Sequence, residues 1–233
     1  METARERSGI LFSLPGLRRK TPTSPVTVLI AMADPIARRA MRQTISRALT
    51  AVIVEADSKP YFQHAVGEQE IDLIVADADL GGSESIDTVE QIRYGRLHCH
   101  AFPLVVILSD HPTPSSTLRI IDSGADLVLP ADAACRVLPD HLVRLAQTRK
   151  PFVVAPHYIG PERREAPRQQ GRPTEQLDVP NPLAARANAM PELEYRRLVS
   201  VATHAISLMR RGLYAVRVNQ PIASSASRSV TTR

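Results

Sequence analysis

The chain has 233 residues, enough for one large domain or for one ordinary domain with extensions. Residues 1–25 carry 5 basic and 2 acidic side chains, residues 26–150 carry 12 basic and 16 acidic ones, and residues 151–233 carry 12 basic and 6 acidic ones. This distribution predicts an acidic domain between arginine-rich flanks, and such flanks suit acidic partners. Two cysteines are too few for a disulfide framework. No apolar run reaches the roughly 18 residues of a membrane span. Both observations favour a cytoplasmic protein without a membrane span.

Residues 26–148 alternate between short apolar runs and amphipathic stretches. The apolar runs predict strands buried on both faces, and apolar side chains every three or four residues predict helices. The predicted strands are 26–32, 51–55, 72–76, 104–108 and 127–129. The predicted helices are 35–49, 59–68, 86–94, 116–123 and 139–148. Such alternation requires parallel strands with helices on both faces, so the predicted fold class is a doubly wound α/β sheet whose functional edge lies at the carboxyl ends of the strands.

The chain after residue 150 changes in character. Prolines and arginines are frequent and apolar residues are few from 151 to 191, which predicts a linker or an extended arm laid over a surface, and not a second core. Helical periodicity returns at residue 192. The predicted segments are a disordered basic tail (1–25), the α/β domain (26–150), the Pro/Arg-rich arm (151–191), a helix with a short extension (192–218) and a disordered tail (219–233).

The predicted C-terminal helix, residues 192–211, is amphipathic. Its apolar face includes Tyr195, Leu198, Ile206 and Met209. This face would dock on a partner protein or a second copy, or it would fold back on the chain's own surface, because a helix of this length needs packing to be stable in water. Gly212 would end the helix as a C-cap, and residues 214–218 would form a short strand.

Ordered segments within residues 26–148 carry a recognisable pattern. Residues 72–77 read Asp-Leu-Ile-Val-Ala-Asp, and residues 103–109 contain the most hydrophobic predicted strand, 104–108, and end in a serine. The other matching segments are 54–56, 79–82 and 124–126. In this order they resemble the receiver domains of response regulators, of chemotaxis type and with a flavodoxin-like fold. The resemblance implies that Asp77 is the candidate phosphoacceptor and that Ser109 stands where the family contacts the phosphoryl group.

The resemblance also shows what this chain lacks. A receiver holds Mg²⁺ with an acidic pair at the end of its first strand, and a lysine after its fifth strand pairs with the phosphorylated aspartate. Here Met32 and Ala33 occupy the acidic-pair positions, and Ala131 occupies the lysine position. The chain therefore resembles a degenerate pseudo-receiver, for which we expect no bound metal, no cofactor and no catalytic residues.

A second resemblance lies in residues 158–164, which read Tyr-Ile-Gly-Pro-Glu-Arg-Arg. Similar Gly-Pro-acidic-Arg-Arg segments occur in the tails of alphaproteobacterial receiver-like proteins, and this resemblance implies no activity. Arg163 and Arg164 present planar donors that suit carboxylates or phosphates of a partner. The alternative is a solvated charge run in a flexible arm.

Three functional hypotheses follow. The leading one is a non-enzymatic signalling adaptor that binds a histidine kinase, another regulator or an assembly, with a homodimer as a further option. The second is a phosphorylatable response regulator that uses Asp77. The third is a DNA-binding regulator that uses the basic C-terminal region; it is less favoured because residues 151–233 predict one helix and no helix-turn-helix pair.

Overall fold

The computed structural model describes residues 25–97, 100–163 and 176–218. The predicted C-terminal tail (219–233) and Arg164 lie outside these residues, and so does the predicted N-terminal tail (1–25) except for its last residue. Strands and helices alternate as follows: β1 (Val26–Ala31), α1 (Pro35–Ala48), β2 (Ala51–Ala56), α2 (Lys59–Glu68), β3 (Leu73–Asp77), α3 (Ile86–Arg93), β4 (Leu104–Ser109), α4 (Pro114–Asp122), β5 (Leu127–Pro130) and α5 (Ala131–Gln147).

These elements form the predicted doubly wound sheet. The five strands pair in the order β2-β1-β3-β4-β5, and every pair is parallel. This is the flavodoxin-like strand order, so the predicted fold class is confirmed. Successive side chains point to opposite faces of a strand. Val28 and Ile30 therefore join the core under α1 and α5, whereas Leu29 and Ala31 join the core under α2, α3 and α4.

Helix α5 begins eight residues earlier than the sequence indicated. The prediction started it at Pro139, and proline is favoured in a first helical turn. In the structure Pro139 lies inside the helix, and the preceding turns bury Ala134 and Leu138 against the sheet. The burial of these turns therefore outweighs the hydrogen bond that proline cannot donate.

The segment predicted as an arm contains regular structure. It forms β6 (Phe152–Ala155), β7 (Tyr158–Pro161), β8 (Gln176–Leu177) and α6 (Pro182–Ala187). Strand β6 pairs antiparallel with both β7 and β8. Phe152, Val154 and Ile159 are buried in a third apolar cluster together with Ala101 and Phe102 of the α/β domain. The described part of this segment therefore forms strands that the sequence did not predict, and its apolar side chains pack on the α/β domain, while the domain boundaries remain predictions.

The C-terminal helix is longer than predicted. Helix α7 runs from Glu192 to Val218 and includes the residues expected to form a short strand. Gly212 does not adopt the left-handed conformation of a C-cap, so it does not end the helix. Neither α7 nor any other helix within the described residues is long and apolar enough to cross a membrane.

Candidate functional site

Asp77 and Ser109 lie at the carboxyl edge of the sheet. Asp77 ends β3 and Ser109 ends β4, and these two strands are neighbours. Ser109 is 7% exposed and lies opposite Pro130 of β5, whereas Asp77 is partly exposed. The structure thus brings the two sequence-predicted residues to the same edge, while their roles in phosphoryl chemistry remain predictions.

The surroundings of Asp77 are acidic. Burial raises its pKa to about 6, and the negative charges of Asp110, Asp34 and Asp79 act in the same direction. The backbone N–H of Ala33 donates a hydrogen bond to the Asp77 carboxylate and partly offsets this effect. The charged side chains that act most on Asp77 are therefore other carboxylates, whereas a transferring phosphoryl group needs nearby positive charge.

The residues at the end of β1 do not fit Mg²⁺. Met32 is 4% exposed and belongs to the core under α1 and α5, and Ala33 packs against the core on the opposite face of the sheet. Mg²⁺ requires oxygen ligands in near-octahedral geometry, which a thioether and a methyl group do not supply. The Asp34 carboxylate is engaged as the N-cap of α1, where it accepts hydrogen bonds from the backbone N–H groups of Ile36 at 3.0 Å and Ala37 at 3.2 Å. Within the described part of the chain, no group of three or more acidic, histidine or cysteine side chains could hold a metal ion.

The lysine position carries no charge either. Ala131 is the first residue of α5 and is partly buried. A guanidinium lies close to β1, because Nη1 of Arg38 donates to the carbonyl oxygen of Met32 at 2.5 Å. Its Nε also forms an ion pair with Glu55 at 3.3 Å, and Arg42 pairs with the same carboxylate at 3.0 Å. The charge of Arg38 is thus held by β2, a feature that sequence reasoning did not identify.

The opposite, amino edge of the sheet contains a buried ionic cluster that the sequence did not reveal. The Arg93 side chain is fully buried and donates to Asp126 at 2.8 Å. It also donates to the backbone carbonyl oxygens of Ala101 at 2.7 Å, Pro103 at 2.9 Å and Gly124 at 2.9 Å. Burial lowers the pKa of Arg93 to about 10, so the residue remains charged near neutral pH. In the sequence, the only sign of this burial is the helical spacing of Arg93 with the apolar residues of α3.

The C-terminal segment completes this cluster. Arg149 pairs with Asp126 at 3.4 Å, and Nη1 of Arg149 donates to the carbonyl oxygen of Pro180 at 2.6 Å. The guanidinium groups of Arg93 and Arg149 each lie 5.0 Å from the centroid of the Phe152 ring, a cation–π arrangement. The hairpin β6–β7 is therefore anchored to the α/β domain by charge as well as by apolar packing.

A further ion pair joins α6 to the sheet. Nε of Arg186 lies 3.2 Å from the Asp72 carboxylate, and the side chains are 10% and 4% exposed. Arg186 also forms an ion pair with Glu192 of α7. Asp72 immediately precedes β3, so the C-terminal segment covers the amino edge and contacts the end of the sheet opposite Asp77.

The Gly-Pro-Glu-Arg segment packs on the chain's own domain. A Cβ added to Gly160 would lie 2.8 Å from the Cα of Gly124, so the two glycines approach too closely for a side chain. Tyr158 donates its hydroxyl hydrogen to the carbonyl oxygen of Pro161 at 2.7 Å. Arg163 stacks on the Tyr158 ring at 3.5 Å and forms an ion pair with Asp122 at the end of α4. Arg163 therefore makes contacts within the chain, while its role in binding a partner remains a prediction.

The predicted partner-binding face of α7 is mostly directed inward. Tyr195 is 3% exposed and Ile206 is 6% exposed, and Met209 packs against the third apolar cluster. These three residues contact the chain's own domain, which corresponds to the alternative in which the helix folds back. Leu198, at 43% exposed, is open to solvent.

The strand order and the all-parallel pairing define a doubly wound α/β domain of flavodoxin-like topology. The signal receiver domain of the response regulator NarL from Mycobacterium tuberculosis aligns with 53% of this chain and 98% of its own length, at 19% identity and a TM-score of 0.47. A response regulator from Thermotoga maritima aligns over 53% and 98%, at 16% identity and a TM-score of 0.45. A DNA-binding response regulator of the LuxR family from Staphylococcus aureus aligns over 51% and 97%, at 17% identity and a TM-score of 0.46.

These similarities concern the fold alone, because all three identities are below 25%. No family model and no curated protein matches the chain. The chemistry of the residues at the two edges of the sheet therefore carries the information about function.

Proposed function

We propose that this chain is a pseudo-receiver, a signalling adaptor of two-component type that acts through protein–protein contacts without Mg²⁺-dependent phosphorylation of Asp77. The observation that carries the proposal is the composition of the carboxyl edge. Met32, Ala33 and Ala131 offer neither a metal ligand nor a cation, and the strongest charged neighbours of Asp77 are carboxylates. A phosphoryl group added to Asp77 would place further negative charge in this acidic surrounding.

A phosphorylatable response regulator would differ from this chain in the metal ligands at the carboxyl edge. In a competent receiver a metal ion neutralises the charge that gathers on the transferring phosphoryl group. Here two buried or partly buried apolar side chains replace the metal ligands, and the carboxylate that follows them in the sequence, Asp34, caps α1. The carboxyl edge is then a surface of fixed shape and charge for a protein partner, such as a histidine kinase or another regulator.

The DNA-binding hypothesis loses much of its motivation in this structure. It rested on the net positive charge after residue 150. Arg163, Arg186 and Arg196 form ion pairs within the chain, and Arg210 donates to the carbonyl oxygen of Tyr94 at 3.1 Å. These arginines are engaged in holding the C-terminal segment on the α/β domain.

A labelling experiment tests the proposal. The purified full chain is incubated with acetyl phosphate, with and without Mg²⁺, and acid-labile adducts are quantified by mass spectrometry. We expect no more labelling than in the Asp77→Asn variant, because the metal ligands and the lysine are missing. Robust Mg²⁺-dependent labelling of Asp77 in the unmodified chain would reject the proposal.

A gain-of-function variant provides the positive control. Ala33→Asp combined with Ala131→Lys restores one carboxylate and the cation at two partly exposed positions. We expect this double variant to acquire Mg²⁺-dependent labelling that Asp77→Asn removes. The comparison shows that the assay detects phosphorylation on this scaffold.

A further inference from the structure

Helix α7 carries a second apolar stripe that its own domain does not cover. Leu198, Val201, Ala205 and Leu208 follow one another at spacings of three, four and three residues, which places them in one line along the helix. Leu198 is 43% exposed, Val201 62% and Leu208 52%. We call this line the outer seam. The buried side of the helix, with Tyr195 and Ile206, already provides the packing that holds α7 on the domain.

A basic row borders the outer seam. Arg197, His204 and Arg211 are seven residues apart and all three are exposed, so they lie along the same side of the seam. No acidic residue occurs between 195 and 211. Among the described residues, Arg197 and Arg211 take part in no ion pair, in contrast to Arg196, which binds Glu70 and Glu192.

We propose that the outer seam binds an acidic amphipathic helix of a partner protein. Apolar residues of that helix at heptad spacing would pack on Leu198, Val201 and Leu208, and its flanking carboxylates would pair with Arg197 and Arg211. This inference rests on the proposed adaptor function, and it names the chemical class of partner and the surface that receives it.

A second copy of this chain fits the seam less well. In an antiparallel pair of α7 helices, Leu198 would oppose Leu208 of the other copy, which suits apolar packing. The same geometry would bring the Arg197 of one copy near the Arg211 of the other, and like charges repel. Charge complementarity therefore favours an acidic partner over self-association.

Binding of a defined probe tests the inference. The probe is a synthetic peptide of three heptads with leucine at the apolar positions and glutamate at the flanking positions, and the matched peptide carries lysine in place of glutamate. Fluorescence anisotropy with the full chain should give an affinity at least about tenfold higher for the acidic peptide, and added salt should reduce the difference. Equal affinities for the two peptides, or no binding of the acidic one, would overturn the inference.

Variants on exposed positions locate the binding surface. Val201→Glu should weaken binding of the acidic peptide at least about tenfold, because it places a charge in the seam. Thr203→Glu adds the same charge at an exposed position away from both the seam and the basic row and should have a smaller effect, within about twofold. The double variant Arg197→Glu, Arg211→Glu should transfer the preference to the lysine peptide. If Val201→Glu and Thr203→Glu weaken binding equally, the seam is not the site.

Analytical sedimentation of the full chain tests whether a second copy of the chain, and not an acidic partner, occupies the outer seam. If the chain is a dimer that Val201→Glu converts to a monomer, the seam serves a second copy and the inference is wrong. A monomer that binds the acidic peptide supports it. Neither result depends on labelling of Asp77, so the seam and the pseudo-receiver proposal can fail separately.

Discussion

Asp77 is a carboxylate whose ionisation opposes folding. Its pKa is raised from an ordinary value of 3.8 to about 6, so the folded state holds the proton more tightly than the unfolded state. The carboxyl group is most favourable to folding when protonated, and this contribution is lost as pH rises from about 4 through 6. Asparagine is uncharged throughout this range and can still accept the hydrogen bond from Ala33. The Asp77→Asn variant should therefore be more stable than the unmodified chain near neutral pH. The gain should be only about 1 kcal/mol, because Asp77 is partly exposed and solvent screens its charge.

Urea unfolding at about pH 4.5 and pH 7.5 measures this difference. The gain in the free energy of unfolding should be clear at the higher pH and small at the lower one. Asp140→Asn, on the exposed side of α5, is the matched control and should change stability little at either pH. A stabilisation that is the same at both pH values would contradict the electrostatic origin.

The sequence placed some residues of the two sheet edges correctly and missed others. Asp77 and Ser109 could be placed because each ends an apolar run, and the ends of parallel strands meet at one edge. The burial of Arg93 could not be predicted, because it depends on Asp126, 33 residues later in the chain, and on three backbone carbonyls. Local periodicity carries no information about such distant partners.

The hairpin β6–β7 depends on the close contact between two glycines. A Cβ on Gly160 would approach the Gly124 Cα to 2.8 Å and the Tyr158 hydroxyl to 2.7 Å, so Gly160→Ala must displace the hairpin. We expect this variant to lose about 1–3 kcal/mol of stability, as for other overpacked sites. The measurement is the chemical unfolding midpoint.

A glycine in open space provides the control. Gly67 lies in α2, and a Cβ there would meet nothing within 4 Å. Gly67→Ala should therefore leave stability unchanged or increase it by about 0.5–1 kcal/mol, since alanine favours helix. Similar losses in both variants would argue against the glycine contact as the cause.

The elements of the α/β domain were easier to predict than those of the C-terminal segment. Strands such as β3 and β4 are continuous apolar runs, because both of their faces are buried. Strand β7 ends in Pro161, and the surrounding prolines indicated a linker, yet proline is tolerated at the edge of a small sheet. The hairpin is stabilised by Phe102, Arg93 and Arg149 of the preceding domain, and these contacts have no local signature in the sequence.

At the scale of the whole molecule, the C-terminal segment and the α/β domain share one core. Phe152, Val154 and Ile159 are buried on Phe102, and burying one large apolar side chain contributes about 1.5–3 kcal/mol. Removing them would expose this surface and leave Arg93 without its aromatic contact. The summed loss of burial energy for the three side chains is comparable to the whole free energy of unfolding of an ordinary domain, which is about 5–15 kcal/mol.

A fragment ending at Lys150 should therefore fold poorly, even though it contains all five strands of the parallel sheet. We expect a lower unfolding midpoint, weaker near-ultraviolet circular dichroism and binding of an apolar dye, the signs of lost tertiary packing. A chain truncated after Val218 is the control, because it keeps every contact described above and should unfold like the full chain. If the fragment ending at Lys150 matched this control, the C-terminal segment would be an accessory to the fold. If instead the fragment ending at Lys150 loses tertiary packing, the segment that carries the outer seam cannot detach without weakening the α/β domain. An adaptor built in this way presents its partner surface permanently.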